Sequence, residues 1–155
     1  MKRTILLSIL LLCLDICSKQ LVVRFMDVGQ SISVIPHFFS LTYVKNKGIA
    51  FSMLEGNLVF IIFLSLLIIG GIFFSICLKK LSWSGSFCYA LIMGGAIGNL
   101  LDRVIYGYVI DFFDFTLFGY EMAIFNVADI FIVLGVLILL FMEFWKGRDR
   151  DVCSR

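Results

Sequence analysis

Histidine and proline each occur once in the 155 residues, as His37 and Pro36. A lone histidine cannot build a metal centre, and the five cysteines, Cys13, Cys17, Cys77, Cys88 and Cys153, include no CxxC pair to assist it. Zinc and redox sites need clusters of these residue types, so no metal and no other cofactor is expected. The cysteines read as apolar filler. Charge is scarce as well. Asp, Glu, Lys and Arg make up 15% of the chain, and its thirteen cations form no aromatic-interleaved basic patch, which removes nucleic acid as a partner. What remains is apolar: 61% of residues are hydrophobic and the mean hydropathy is +1.06, far outside the range of a soluble domain.

Four apolar runs, at about 4–24, 58–78, 86–106 and 124–145, each approach the roughly 20 residues that cross a bilayer. The expected fold is an all-α membrane protein of four transmembrane helices in a single domain, 1–155. Lys2, Arg3, Lys79, Lys80, Lys146, Arg148, Arg150 and Arg155 all fall on one side of that weave, and basic residues collect on the cytoplasmic side of short loops. Both termini are therefore expected in the cytoplasm, with the stretches at about 25–57 and 107–123 outside. The first run has the basic start of a signal peptide, but no small-x-small cleavage site follows it, so it is expected to stay attached as helix 1. Alternation in Ser31-Ile32-Ser33-Val34-Ile35 predicts short strands in the first outer stretch, and Phe38, Phe39, Leu41, Tyr43 and Val44 make that piece apolar enough to lie on the membrane surface.

Polar groups stand out against this background. A centrally placed Asp or Arg costs roughly 2.5–3.5 kcal/mol on insertion scales, so several in one region point to use rather than accident. In helix 1, Asp15 and Lys19 lie at i, i+4 with the acid first, the favourable order for an internal ion pair. Helix 3 carries Ala90, Gly94 and Gly98 as a small-residue stripe that admits a close neighbour, and Asn99, Asp102 and Arg103 follow within a turn. Asp111 and Asp114 sit among aromatics, and Asn126 and Asp129 share a face at the head of helix 4. Asn46, two residues before Gly48, reads equally as a turn signal or as part of a site.

Asp111 and Asp129 are expected at similar depth on neighbouring helix ends, where they can meet. Two carboxylates in a poorly hydrated place cannot comfortably both ionise; one holds a proton while the other acts as base, the outfit of an aspartic peptidase. Two other readings stay open at this level. A small proton or ion transporter also uses intramembrane Asp, Arg and Asn, although the four helices show no inverted repeat. A scaffold could use the same groups only to pair helices.

Five motifs carry a resemblance that spans nearly the whole chain. Asp15-Ile16-Cys17-Ser18-Lys19, Asn46-Lys47-Gly48-Ile49-Ala50-Phe51-Ser52, Gly94-Gly95-Ala96-Ile97-Gly98-Asn99-Leu100-Leu101-Asp102-Arg103, Val109-Ile110-Asp111-Phe112 and Phe125-Asn126-Val127-Ala128-Asp129, in that order, resemble lipoprotein signal peptidase, also called signal peptidase II. One departure is Ile16, where the family usually has Gln. The resemblance implies a catalytic dyad of Asp111 and Asp129 supported by Asp15, Asn46, Asn99, Arg103 and Asn126, with Lys19 beside Asp15. It implies a small extracytoplasmic β-cradle between helices 1 and 2, and a site near the outer face of the bacterial cytoplasmic membrane. The substrate implied is a lipidated prolipoprotein cut just before its diacylglyceryl-modified cysteine, among membrane lipid, and the inhibitor globomycin is expected to bind at the dyad.

Overall fold

A computed structural model of the chain describes residues 1–48 and 56–153, with side chains as far as Trp145. Ile49 to Ser52 of the second motif, and the side chains of Lys146, Arg148, Arg150 and Arg155, lie outside the described residues. The elements run α1 (Lys2–Phe25), β1 (Ser31–Ile35), β2 (Phe39–Asn46), α2 (Leu58–Leu78), α3 (Trp83–Tyr106), β3 (Val109–Leu117), β4 (Tyr120–Glu121) and α4 (Val127–Cys153). All four helices are long and apolar enough to cross a membrane.

α3 is the axis of the bundle. It packs against α1, α2 and α4, and it buries thirteen residues including Ala90, Gly94, Gly95, Gly98, Asn99 and Asp102, whereas α2 buries only Ile61 and Ile76. The other helices thus turn most of their surface to lipid. The helix also begins earlier than its apolar run suggests, because Ser82 caps it: the Gly85 amide donates to the Ser82 hydroxyl at 3.1 Å. At the far end Gly107 closes it in the left-handed conformation, φ +79.

The small-residue stripe does what its spacing implies. A Cβ at Gly94 would meet the Ser8 carbonyl at 3.0 Å, and one at Gly98 would run into the Asp15 carboxylate, so α1 approaches along that face. A second close face was not legible: a Cβ at Gly95 would collide with the Ala128 carbonyl oxygen and meet Ile132 at 2.9 Å, while on α4 a Cβ at Gly135 would meet Ile92 at 2.6 Å. Overpacking of this kind costs about 1–3 kcal/mol. Gly95→Ala should therefore lower the thermal unfolding midpoint in detergent. Gly70→Ala, with nothing within 4 Å of its Cβ, should leave it level or slightly higher; equal midpoints for the two variants would refute the close-packing account.

The sheet draws on both connecting stretches. Its order is β1-β2-β3-β4, all antiparallel, so half of its strands come from the stretch after α3 rather than from the one between α1 and α2. Asp111 accordingly sits on strand β3, opposite Val44 of β2, and not on a helix end as expected. Phe112, Phe113 and Phe115 crowd both faces of β3 and hide its period of two. The same strand delays α4. Phe125 exchanges backbone hydrogen bonds with Phe113, at 2.8 and 3.1 Å, holding the chain extended until Asn126, so the helix starts at Val127 rather than near residue 124.

Candidate active site

Asn126 is the hinge of the site. It precedes α4 as its cap: the Asp129 amide donates to Asn126 Oδ1 at 3.1 Å, and the Asn126 amide donates back to Asp129 Oδ2 at 3.0 Å. This reciprocal pair is a capping box, with Asn and Asp in the two roles. It places the Asp129 carboxylate at the positive end of the helix dipole. The expectation that Asn126 and Asp129 share a helical face is replaced by this tighter arrangement, because β3 claims Phe125.

The other arm of Asn126 reaches the strand. Its Nδ2 donates to Asp111 Oδ1 at 2.6 Å and also to Asn99 Oδ1 at 3.1 Å. Asn99 in turn donates from Nδ2 to Asp129 Oδ1 at 2.8 Å. Asp111 and Asp129 are therefore linked through two amide side chains, one on α3 and one at the head of α4. Asn46 completes the grip: standing diagonally across from Asp111 on β2, it donates to Asp111 Oδ2 at 2.8 Å while its own Oδ1 accepts from the Gly48 amide at 2.9 Å. Asn46 thus makes a local turn contact and a cross-strand contact with Asp111 at once.

An amide side chain can face either way, and a buried cation fixes Asn99. Lys19 Nζ donates to Asn99 Oδ1 at 3.0 Å, which turns the amide nitrogen toward Asp129. Lys19 also meets Asp15 Oδ2 at 2.8 Å and Asp102 Oδ2 at 2.9 Å, all three residues being buried. Each acid has a second task. Asp15 Oδ1 accepts from the Ala128 amide at 3.0 Å, in the first turn of α4, and Asp102 Oδ2 accepts from the Ile110 amide at 3.3 Å, next to Asp111. The charged triad thus ties α1 and α3 to the backbone beside each carboxylate of the pair. Asp102 stands in the sequence as a polar intramembrane group, and the structure sets it against the Ile110 amide, next to Asp111.

Arg103 uses its guanidinium on backbone, donating from Nη1 to Asn99 O at 3.2 Å and from Nη2 to Gly48 O at 3.0 Å. It anchors the start of the Asn46 motif, at Gly48, to α3. Asp114 faces elsewhere: residues three apart on a strand point to opposite faces, and its Oδ2 accepts from the Thr42 hydroxyl at 2.7 Å. Among the described residues no three His, Cys, Asp or Glu side chains come together as metal ligands.

The surroundings of Asp111 bear on its charge. Asp111 is 2% exposed, and burial, reinforced by the Asp129 charge against the hydrogen bonds from Asn46 and Asn126, pushes its carboxyl up to about 6. A proton is therefore held at Asp111 as long as the pH stays below about 6.

Known proteins resemble the chain in sequence and in fold. The family described as Signal peptidase (SPase) II matches residues 7–145. A lipoprotein signal peptidase of Caldanaerobacter subterraneus subsp. tengcongensis is 45% identical over 139 residues, covering 88% of this chain and 92% of its own. One of Haemophilus ducreyi is 41% identical over 150 residues, covering 94% and 92%. Two solved structures, each titled as a bacterial membrane enzyme determined by the in meso method, superpose with TM-scores of 0.87 and 0.80 at 29% and 30% identity, over 96% and 92% of this chain and 92% of each of theirs. With a family match across nearly the full length and relatives this similar, the chain belongs to the signal peptidase II family.

Proposed function

We propose that the chain is an aspartic endopeptidase that removes the signal peptide from diacylglyceryl-modified prolipoproteins, cutting before the lipidated cysteine, with Asp111 and Asp129 as its catalytic pair. The observation that carries this reading is the double use of Asn126, whose side chain donates to Asp111 while its backbone amide donates to Asp129. A transporter would not need two carboxylates held in one fixed geometry. Asp129 takes a proton from a water, whose oxygen bonds to the scissile carbonyl carbon, and Asp111 gives its proton to the carbonyl oxygen. As the tetrahedral intermediate collapses, Asp111 recovers a proton from a hydroxyl and Asp129 delivers its proton to the leaving nitrogen. The C–N bond breaks, leaving a carboxyl on the signal peptide and a free amine on the lipidated cysteine.

The orientation proposed puts both termini in the cytoplasm and the sheet outside, on the strength of the basic residues that share one side. Reporter fusions after Lys80 should report cytoplasm and fusions within 31–43 the outside; the reverse pattern would overturn it. The chemistry is tested with purified protein in vesicles and one precursor supplied before and after diacylglyceryl transfer. Only the lipidated form should be cut, with the new amino terminus at cysteine. Proton flux without cleavage would favour the transporter.

The pH profile follows from the shared proton. The pair is active with one proton, and that proton leaves as pH rises through the folded value of Asp111, so kcat/KM should fall as pH rises above about 6. The apparent value belongs to the pair. Bound substrate displaces water and deepens the burial, so the matching limb in kcat should lie higher. An alkaline limb that survives unchanged in Asp111→Glu would contradict this.

A further inference from the structure

The end of the sheet farthest from the two carboxylates is apolar at both of its turns. Because β2 and β3 are antiparallel with Phe39 opposite Phe115, the β1–β2 turn lies beside the β3–β4 turn, and the Thr116 amide donates to the Phe38 carbonyl at 3.0 Å. Ile35, Phe38, Leu117, Tyr120 and Met122 are all exposed there, and Phe118 is 99% exposed. Phe118 also has φ +51 and is followed by Gly119 at +84. A two-residue turn with both φ positive favours Asn-Gly or Asp-Gly, so an aromatic at the first position sets local comfort aside.

Where this end of the sheet lies follows from its attachments. β3 leaves α3 at Gly107 and is tied back to the head of α4 through Phe113 and Phe125, so Phe113 is level with the end of a membrane span. Leu117 is four residues further on, on the order of 13 Å along a strand. Val104, Ile105 and Tyr106, in the last turn of α3 just before β3, are exposed and apolar as well. No Lys or Arg occurs between Arg103 and Lys146, and the titratable side chains at the turns are His37, Tyr120 and Glu121. Such a surface suits the uncharged carbonyl region of a bilayer, where aromatic side chains are favoured, rather than an anionic patch.

We propose that this end of the sheet is seated in the interfacial layer of the leaflet on its own side of the membrane, with Phe118 the deepest side chain and Tyr120 at headgroup level. This second anchorage fixes the depth of β3, the strand that carries Asp111. The seating is independent of the peptidase reading; its effect on turnover rests on that reading.

The test uses Phe118→Trp in full-length protein whose Trp83 and Trp145 are replaced by Phe, reconstituted in phosphatidylcholine vesicles. Emission should be blue-shifted, quenched by phosphatidylcholine brominated near the top of its acyl chains, and shielded from aqueous iodide. Emission typical of water with full iodide access overturns the proposal. So does shielding from iodide without quenching by brominated lipid, which would mean that another protein surface covers the turn. In a second arm, Phe118→Asp should cut a lipidated precursor several-fold more slowly than the parent in vesicles but equally fast in detergent micelles. Equal rates in both settings, beside a lipid-quenched Trp, would overturn the link between anchorage and turnover while leaving the peptidase reading intact. A dead parent protein would count against the peptidase reading and leave the fluorescence result standing.

Discussion

Replacing either Asp111 or Asp129 by Asn is expected to lower cleavage of a lipidated precursor by roughly 10²–10⁴-fold, since each variant removes one proton-transfer partner. Shape is nearly conserved, so insertion and abundance should persist. Asn at 111 can still accept one of the hydrogen bonds from Asn46 and Asn126, but its own NH2 group faces the other donor. The control is Asp114→Asn, three residues along the same strand, whose carboxylate bonds Thr42 on the opposite face; it should cut at near-parental rate. The comparison is made at matched membrane levels. Near-parental cleavage by either dyad variant, or a dead Asp114→Asn beside an active Asp111→Asn, would reverse the assignment.

Asp111 leaves a second signature, in stability. An unfolded carboxyl loses its proton near 3.8, whereas native Asp111 keeps it to about 6, so the native state holds the additional proton across that window. Parent stability should then fall as pH rises from about 4 to about 6, by about 3 kcal/mol at most, and stay level above. Asp111→Asn should lack that part of the slope. Thermal unfolding of both proteins across this range decides the point, and parallel curves would mean that Asp111 is not the group holding the proton.

How much of this was legible in the sequence depended on whether a single pattern dominated each segment. Long apolar runs gave the four spans, and the spacing of Ala90, Gly94 and Gly98 gave the face of α3 that α1 approaches. β3 was hidden because Phe occupies positions on both of its faces, erasing the alternation that exposed β1 as a strand. The i, i+3 spacing of Asn126 to Asp129 suits a shared helix face as well as it suits a capping box; the bridge from Phe113 to Phe125 separates the two. Among the described residues, Asp15, Lys19, Asn46, Asn99, Asp102, Arg103, Asp111, Asn126 and Asp129 converge on one polar network. Their division of labour is a matter of hydrogen-bond direction, which spacing does not contain: Asn99 aims its amide at Asp129 because Lys19 occupies its oxygen.

Lys19 is for that reason the supporting residue whose loss should be felt most widely. Lys19→Met fills a similar volume but leaves Asp15 and Asp102 facing each other's charge, buried and without their cation. Breaking a buried ion pair by removing one partner costs about 3–5 kcal/mol, a large share of the stability of a domain this size. The damage should spread by named contacts. Asp15 holds the Ala128 amide at the first turn of α4, and Asp102 holds the Ile110 amide on β3, so both carboxylates of the pair lose their settings even in molecules that remain folded. Activity should therefore fall along with the unfolding midpoint in detergent. Adding Asp102→Asn to Lys19→Met removes one uncompensated charge while keeping an oxygen for Ile110, and the double variant should be more stable than Lys19→Met alone. A double variant whose loss equals the sum of those of Lys19→Met and Asp102→Asn measured alone, or a Lys19→Met protein as stable as the parent, would show that the triad does not hold these elements together.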